Sequence, residues 1–218
     1  MTIEHHPPEE FLARFATGRL DRAEHIVISA HVAMCVHCRR FVAALERLGG
    51  AALEAAEPVA LPRGAFDAVM ARIAGGEAAA PAPSVPRPRR AEDAGLPKVL
   101  DLYDIGRVRR IAPGLSMRPI VIPGAGKSRA FLLRSEPGTR MLEHTHTETE
   151  LTCVLQGSFS HEGGRFGPGD FDLGDSTVDH QPLVGEEEPC VCLVAMSGKL
   201  RINGLLGRLM TVAGRPAS

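Results

Sequence analysis

The chain has 218 residues, and its 25 Lys and Arg nearly balance 26 Asp and Glu, for a net charge of −1 with no basic segment of the kind that grips a nucleic-acid backbone. Trp is absent and Tyr103 is the single tyrosine, which removes an aromatic platform for stacked bases. Five cysteines, an odd number, follow a start (MTIEHHPPEE) without the basic and apolar parts of an export signal, and no run approaches the ~20 apolar residues of a membrane span. These features argue for metal or redox chemistry over a disulfide framework, and for a cytoplasmic protein.

From Phe11 to Gly75 apolar residues recur at helical spacing in Ala-, Leu-, Arg- and Glu-rich sequence. Phe11, Leu12, Phe15 and Ala16 predict a first helix ended by Gly18. Asp21 is placed to cap a second helix through Ile26 toward Met34. A third helix starts near Val36, carries Phe41, Ala44, Leu45 and Leu48, and is expected to stop at Gly49-Gly50. A fourth, roughly Gly64 to Ile73, sets Phe66, Val69, Met70 and Ile73 in one apolar stripe. That stripe suits either the domain itself or a partner.

Across the second and third helices lies H-x3-C-x2-C: His31, Cys35 and Cys38. One helical turn separates His31 from Cys35, and Cys38 follows three residues on, so three metal ligands converge with little rearrangement. Tetrahedral zinc needs a fourth, from His5, His6, His25 or His37. His37 sits between the cysteines and points away, and His25 is rotated off the face of His31. The pair His5 and His6 remains, on an arm that folds back. A histidine near the start followed by H-x3-C-x2-C in a four-helix unit of about 75 residues resembles the zinc-binding anti-sigma domain of proteins that sequester extracytoplasmic-function sigma factors. The resemblance implies that His6 is the fourth ligand.

Residues 76–97, rich in Ala, Pro and charge, read as an extended spacer that lets the flanking units move. Beyond it come short apolar or alternating runs broken by Gly and Pro, such as RAFLLR, ELTCVLQG, FDLGD and CVCLVAM, which predict an all-β sandwich or barrel. Gly138 to Gly157 reads G-x5-H-x-H-x3-E-x6-G and resembles the first cupin motif at every fixed position. Period two puts His144 and His146 on one strand face, and Glu150 opens the next strand toward the same interior. The second cupin motif is looser, with Pro168-Gly169-Asp170 as its turn and His180 as its histidine. Three His and one Glu suit Zn or another divalent transition metal. Cys190 and Cys192 share a strand face and are the redox candidates, whereas Cys153, of opposite parity to Glu150, should face away from the metal.

The expected fold class is therefore α+β multidomain, an N-terminal four-helix zinc-binding bundle (1–75), a linker (76–97) and an all-β cupin barrel (98–212). Together these resemble the ChrR-type anti-sigma factors over essentially the whole chain. The resemblance implies zinc at His6, His31, Cys35 and Cys38, a second metal at His144, His146, Glu150 and His180, and a heterodimer with an extracytoplasmic-function sigma factor released when the cupin senses singlet oxygen or related oxidants. No direct contact with nucleic acid or membrane is implied. The alternative is a metal-dependent cupin enzyme, a dioxygenase or isomerase, with the helical unit as a docking module.

Overall fold

The computed structural model describes residues 2–75, 95–124, 128–141, 143–175, 181–198 and 200–202. Helix α1 (Glu9–Ala16) follows Pro8, has Glu9 and Glu10 in its first turn where the helix dipole favours negative charge, and ends before Gly18 at φ +65°. Helix α2 (Arg22–Met34) starts with a full capping box: Glu24 N–H donates to the Asp21 carboxylate at 2.9 Å and Asp21 N–H to that of Glu24 at 3.2 Å. Cys35, in extended conformation, ends α2 and caps α3 (Val36–Glu54), so the chain bends by 113° between them.

The expected stop at Gly49-Gly50 is not observed, because α3 continues to Glu54. Each glycine costs about 1 kcal/mol relative to Ala, which is too little to end a helix flanked by Leu48 and Ala51-Ala52-Leu53. Helix α4 (Ala65–Ala74) begins after Gly64 and contributes no buried residue, so α1, α2 and α3 pack together while α4 keeps its apolar stripe exposed. The spacer lies outside the described residues except 95–97.

A 3-10 helix (Lys98–Leu102) leads into the β unit and buries Leu100. The larger sheet holds β1 (Asp104–Ile105), β2 (Arg109–Ala112), β3 (Leu115–Val121), β4 (Arg129–Ser135), β6 (Glu150–Gln156), β9 (Phe171–Gly174) and β11 (Cys190–Met196), ordered β1-β3-β4-β11-β6-β9 with β2 on β3. A second sheet is formed by β7 (Phe159–His161), β8 (Gly164–Phe166) and β10 (Leu183–Val184), ordered β10-β7-β8. Strand β5 (His144–His146) pairs with β12 (Leu200–Ile202).

The larger sheet is covered on both faces, and strand parity divides its side chains. Ala130, Leu132, Leu151, Cys153, Leu193 and Ala195 join Ile26, Val27, Ile28 and Ala30 of α2 in one core. Phe131, Val154, Cys190, Cys192, Val194 and Met196 face the opposite way, onto Phe159, Phe166 and Val184 of the second sheet. Double coverage explains why CVCLVAM is nearly continuously apolar. Cys153 thus points to the helices, as its parity predicts. The helical and β units share a core, and α2 is its common element.

Candidate metal centre

Four side chains from three segments meet where α2 turns into α3. His31, in the last turn of α2, is fully buried, as is Cys38 in the first turn of α3, while Cys35 occupies the joint. His6 arrives on the N-terminal arm before α1. His31 Nε2 lies 3.2 Å from Cys38 Sγ, and His6 Nδ1 lies 3.4 Å from Cys35 Sγ and 3.5 Å from Cys38 Sγ. All four ligand atoms lie within 4.8 Å of one another. Zn–S bonds of about 2.3 Å and Zn–N bonds of about 2.0 Å in a tetrahedron require ligand separations of roughly 3.3–3.8 Å. The three short separations match these values to within tenths of an ångström, and closing the remaining pairs from within 4.8 Å completes a tetrahedral S2N2 set.

His31 is set for that role by its other nitrogen. Nδ1 lies 2.7 Å from the Gly169 carbonyl, which only accepts, so Nδ1 carries the proton and Nε2 presents its lone pair to the sulfurs. Burial pushes the His31 pKa down to about 4, outweighing the opposing hydrogen bond to Gly169, and the imidazole is neutral at pH 7. Burial, with the Cys35 sulfur beside it, pushes the Cys38 thiol up to about 12. Without a cation this thiol keeps its proton; a divalent ion favours the thiolate and displaces it.

The structure separates the four candidates for the last ligand. His5 turns away and packs its ring 4.2 Å from that of Phe166, with Nδ1 3.7 Å from the Asp170 carboxylate. His25 stacks on Phe15 at 4.7 Å, and the His37 ring lies beside His6 at 5.2 Å, outside the cluster. What selects His6 is the path of the arm. Asp170 Oδ1 accepts from Glu4 N–H at 2.8 Å and His5 N–H at 3.0 Å, and Phe171 N–H donates to the His5 carbonyl at 3.1 Å. Burial alone would raise the pKa of Asp170, but the N–H donors of Gly167, His5 and Glu4, with the His5 ring, hold it below the usual range. In the sequence Asp170 is legible only as part of a cupin turn. Its partners are 165 and 166 residues away, so no local signal could reveal them.

In the β unit, His144 is buried on β5 and Glu150 opens β6. Of His146 the structure describes the backbone, and His180 lies outside the described residues. Burial, reinforced by the Asp172 carboxylate, pushes Glu150 up to about 8, so at neutral pH it holds a proton that a metal would have to displace. Cys190 and Cys192 face the interior with sulfurs 3.6 Å apart, both reduced and buried. The neighbouring Cys190 sulfur and burial drive the Cys192 thiol well above its ordinary pKa, which makes it a poor nucleophile. No local pattern singles out His161, whose Nε2 lies 3.1 Å from Asp172 Oδ2.

Fold and site define a two-part class of protein: a helical unit that carries a His2Cys2 cluster, docked through α2 on a cupin sheet. The family model described as "ChrR Cupin-like domain" matches residues 106–199. The chain is similar to the anti-sigma-E factor ChrR of Cereibacter sphaeroides, 36% identical over 214 residues that cover 96% of this chain and 97% of that protein. It is also similar to a chain in the crystal structure of Rhodobacter sphaeroides SigE in complex with the anti-sigma ChrR, with a TM-score of 0.73 and 33% identity over 90% of this chain and 100% of that one. The chain belongs to the ChrR family of anti-sigma factors. Among the described residues, no single helix is long and apolar enough to cross a membrane.

Proposed function

We propose that this chain is a cytoplasmic anti-sigma factor, a binding regulator and not an enzyme, that sequesters an extracytoplasmic-function sigma factor and releases it under oxidative stress of the singlet-oxygen type. The observation that carries this reading is full-length similarity to ChrR together with four ligand atoms in tetrahedral reach of one ion. Residues 1–75 form the sigma-binding domain, 76–97 a linker and 98–212 the cupin domain.

Zinc is the ion that thiolate and imidazole ligands in a closed tetrahedron favour, and it would be held by His6, His31, Cys35 and Cys38. When bound, it supplies a structural cross-link between the arm and the α2–α3 joint. The protein's own residues do the rest: Gly169 fixes the His31 tautomer, Asp21 and Glu24 fix the start of α2, and α4 offers Phe66, Val69, Met70 and Ile73 to a partner. An exposed apolar face of this kind marks an interaction surface. In the cupin domain His144, His146, Glu150 and His180 would hold zinc or another divalent transition metal. Cys190 and Cys192 are the redox candidates there, both buried with their sulfurs 3.6 Å apart.

The test is co-expression with the sigma factor encoded beside it. A 1:1 complex whose helical unit holds one metal equivalent, and which dissociates on exposure to singlet oxygen, is the expected result. Purified chain that contains metal but captures no such sigma factor would overturn the proposal.

A further inference from the structure

We propose that the turn between β8 and β9, through the Gly169 carbonyl and the Asp170 carboxylate, is the outer shell of the metal cluster in the helical unit, so that the β unit sets the affinity of a site to which it contributes no ligand. The inference rests on the reading that His6, His31, Cys35 and Cys38 bind metal. Two of those four ligands are oriented from the turn by separate contacts. Gly169 accepts from His31 Nδ1 at 2.7 Å and fixes both the tautomer and the ring plane. Asp170 accepts from Glu4 and His5 N–H and thereby fixes the backbone one residue before His6. Its second oxygen accepts from Gly167 N–H at 2.8 Å, so the carboxylate is bound on both sides and the residue is buried.

Gly169 also makes room for the arm. Its φ is +91°, and a Cβ at this position would lie 2.4 Å from Ile3 Cδ1 and 2.8 Å from Ile3 Cγ1. Ile3 therefore seats directly on the glycine, with Met34 of α2 on the same spot. Asp170 leads straight into β9, whose far end, Gly174, pairs with Glu150. The turn thus stands one short strand from the candidate barrel ligands and in hydrogen-bond contact with the helical cluster. Outer-shell partners of metal ligands typically contribute about 10–100-fold in affinity.

The full chain, stripped and reloaded with zinc or cobalt, supplies the test, with Cys35→Ser/Cys38→Ser as the blank for metal held elsewhere. Asp170→Ala should weaken zinc, in competition with a chromophoric chelator, by about 10–100-fold. Its cobalt form should lose tetrahedral d–d intensity as His6 gives way to water. Asp170→Asn, which keeps one oxygen for Glu4 and His5, should restore most of both signals, a rescue that a merely structural defect in the turn would not give. Should Asp170→Ala fail to fold, Ile3→Ser, which leaves the turn intact, is read in its place and should shift affinity in the same direction more weakly. Affinity and cobalt spectra equal to those of the wild type in Asp170→Ala, or in Ile3→Ser where that is read, overturn the inference. A wild-type chain indistinguishable from the cysteine blank overturns the metal reading itself and the inference with it.

Discussion

Helices α2 and α4 are both rich in apolar residues, yet their surroundings are opposite. Ala23, Ile26, Val27, Ile28 and Ala30 of α2 are fully buried, enclosed by α1 and α3 on one side and the larger sheet on the other. In α4, Phe66 is 74% and Ile73 67% exposed. An apolar stripe states that something must cover it, and only tertiary structure states what. Within this chain α2 is the keel on which both units are built, and α4 is an apolar face that the described residues leave uncovered.

The most drastic way to break this contrast is to remove the sulfurs that lock the end of α2. Cys35→Ser/Cys38→Ser should abolish metal binding in the helical unit and capture of the sigma factor together, as read by metal analysis and pull-down. Retained capture would separate the cluster from the function. Next in size is Leu193→Ala, beneath α2, expected to cost about 2–5 kcal/mol in urea unfolding. Because α2 and the sheet share a core, probes in both units should report one shifted transition; two transitions would show that the units fold independently.

On α4 the pattern should invert. Phe66→Asp/Met70→Asp should leave stability within about 0.5 kcal/mol, while sigma-factor affinity, followed by titration calorimetry, falls at least tenfold, or about 1.4 kcal/mol. The subtlest effect concerns pH. In the metal-free chain the His31 pKa is near 4 against an ordinary 6.5, so the unfolded state takes the proton first. The contribution of His31 is complete above pH 6.5 and is lost as pH falls toward 4. Glu150 has the opposite sign: its pKa rises from 4.5 to about 8, and its contribution is full below 4.5 and lost as pH climbs through 8. Urea midpoints of metal-free wild type and Glu150→Gln should therefore diverge between pH 4.5 and 8, with the wild type losing ground. Parallel curves would place Glu150 in a more solvated setting.

The parts of the fold legible in the sequence are those whose causes are local. Asp21 and Glu24 announce α2 because a capping box spans three residues, and Gly18 ends α1 by taking a left-handed conformation. The end of α3 is not legible at Gly49-Gly50, because glycine propensity is a weak effect that Leu48 and the following alanines outweigh. Short strands such as β8 and β10 carry too few residues to show a period and exist through their pairing with β7. The cluster divides in the same way. His31, Cys35 and Cys38 are legible because one helix turn and one cap bring them together, whereas the residues alone left His5 and His6 equivalent. That choice is made by Asp170, across the whole β unit.

The hydrogen bond from His31 to Gly169 also imposes an order on biogenesis. The two residues are 138 positions apart, and at about 5–20 residues/s roughly 7–28 s separate their synthesis. Throughout that interval the nascent helical unit displays His31, Cys35 and Cys38 with neither its tautomer fixed nor its arm clasped. On the proposal that this cluster holds metal and that the β8–β9 turn is its outer shell, full retention would be acquired late in translation, and a chain ending before that turn would release metal more readily than the finished protein.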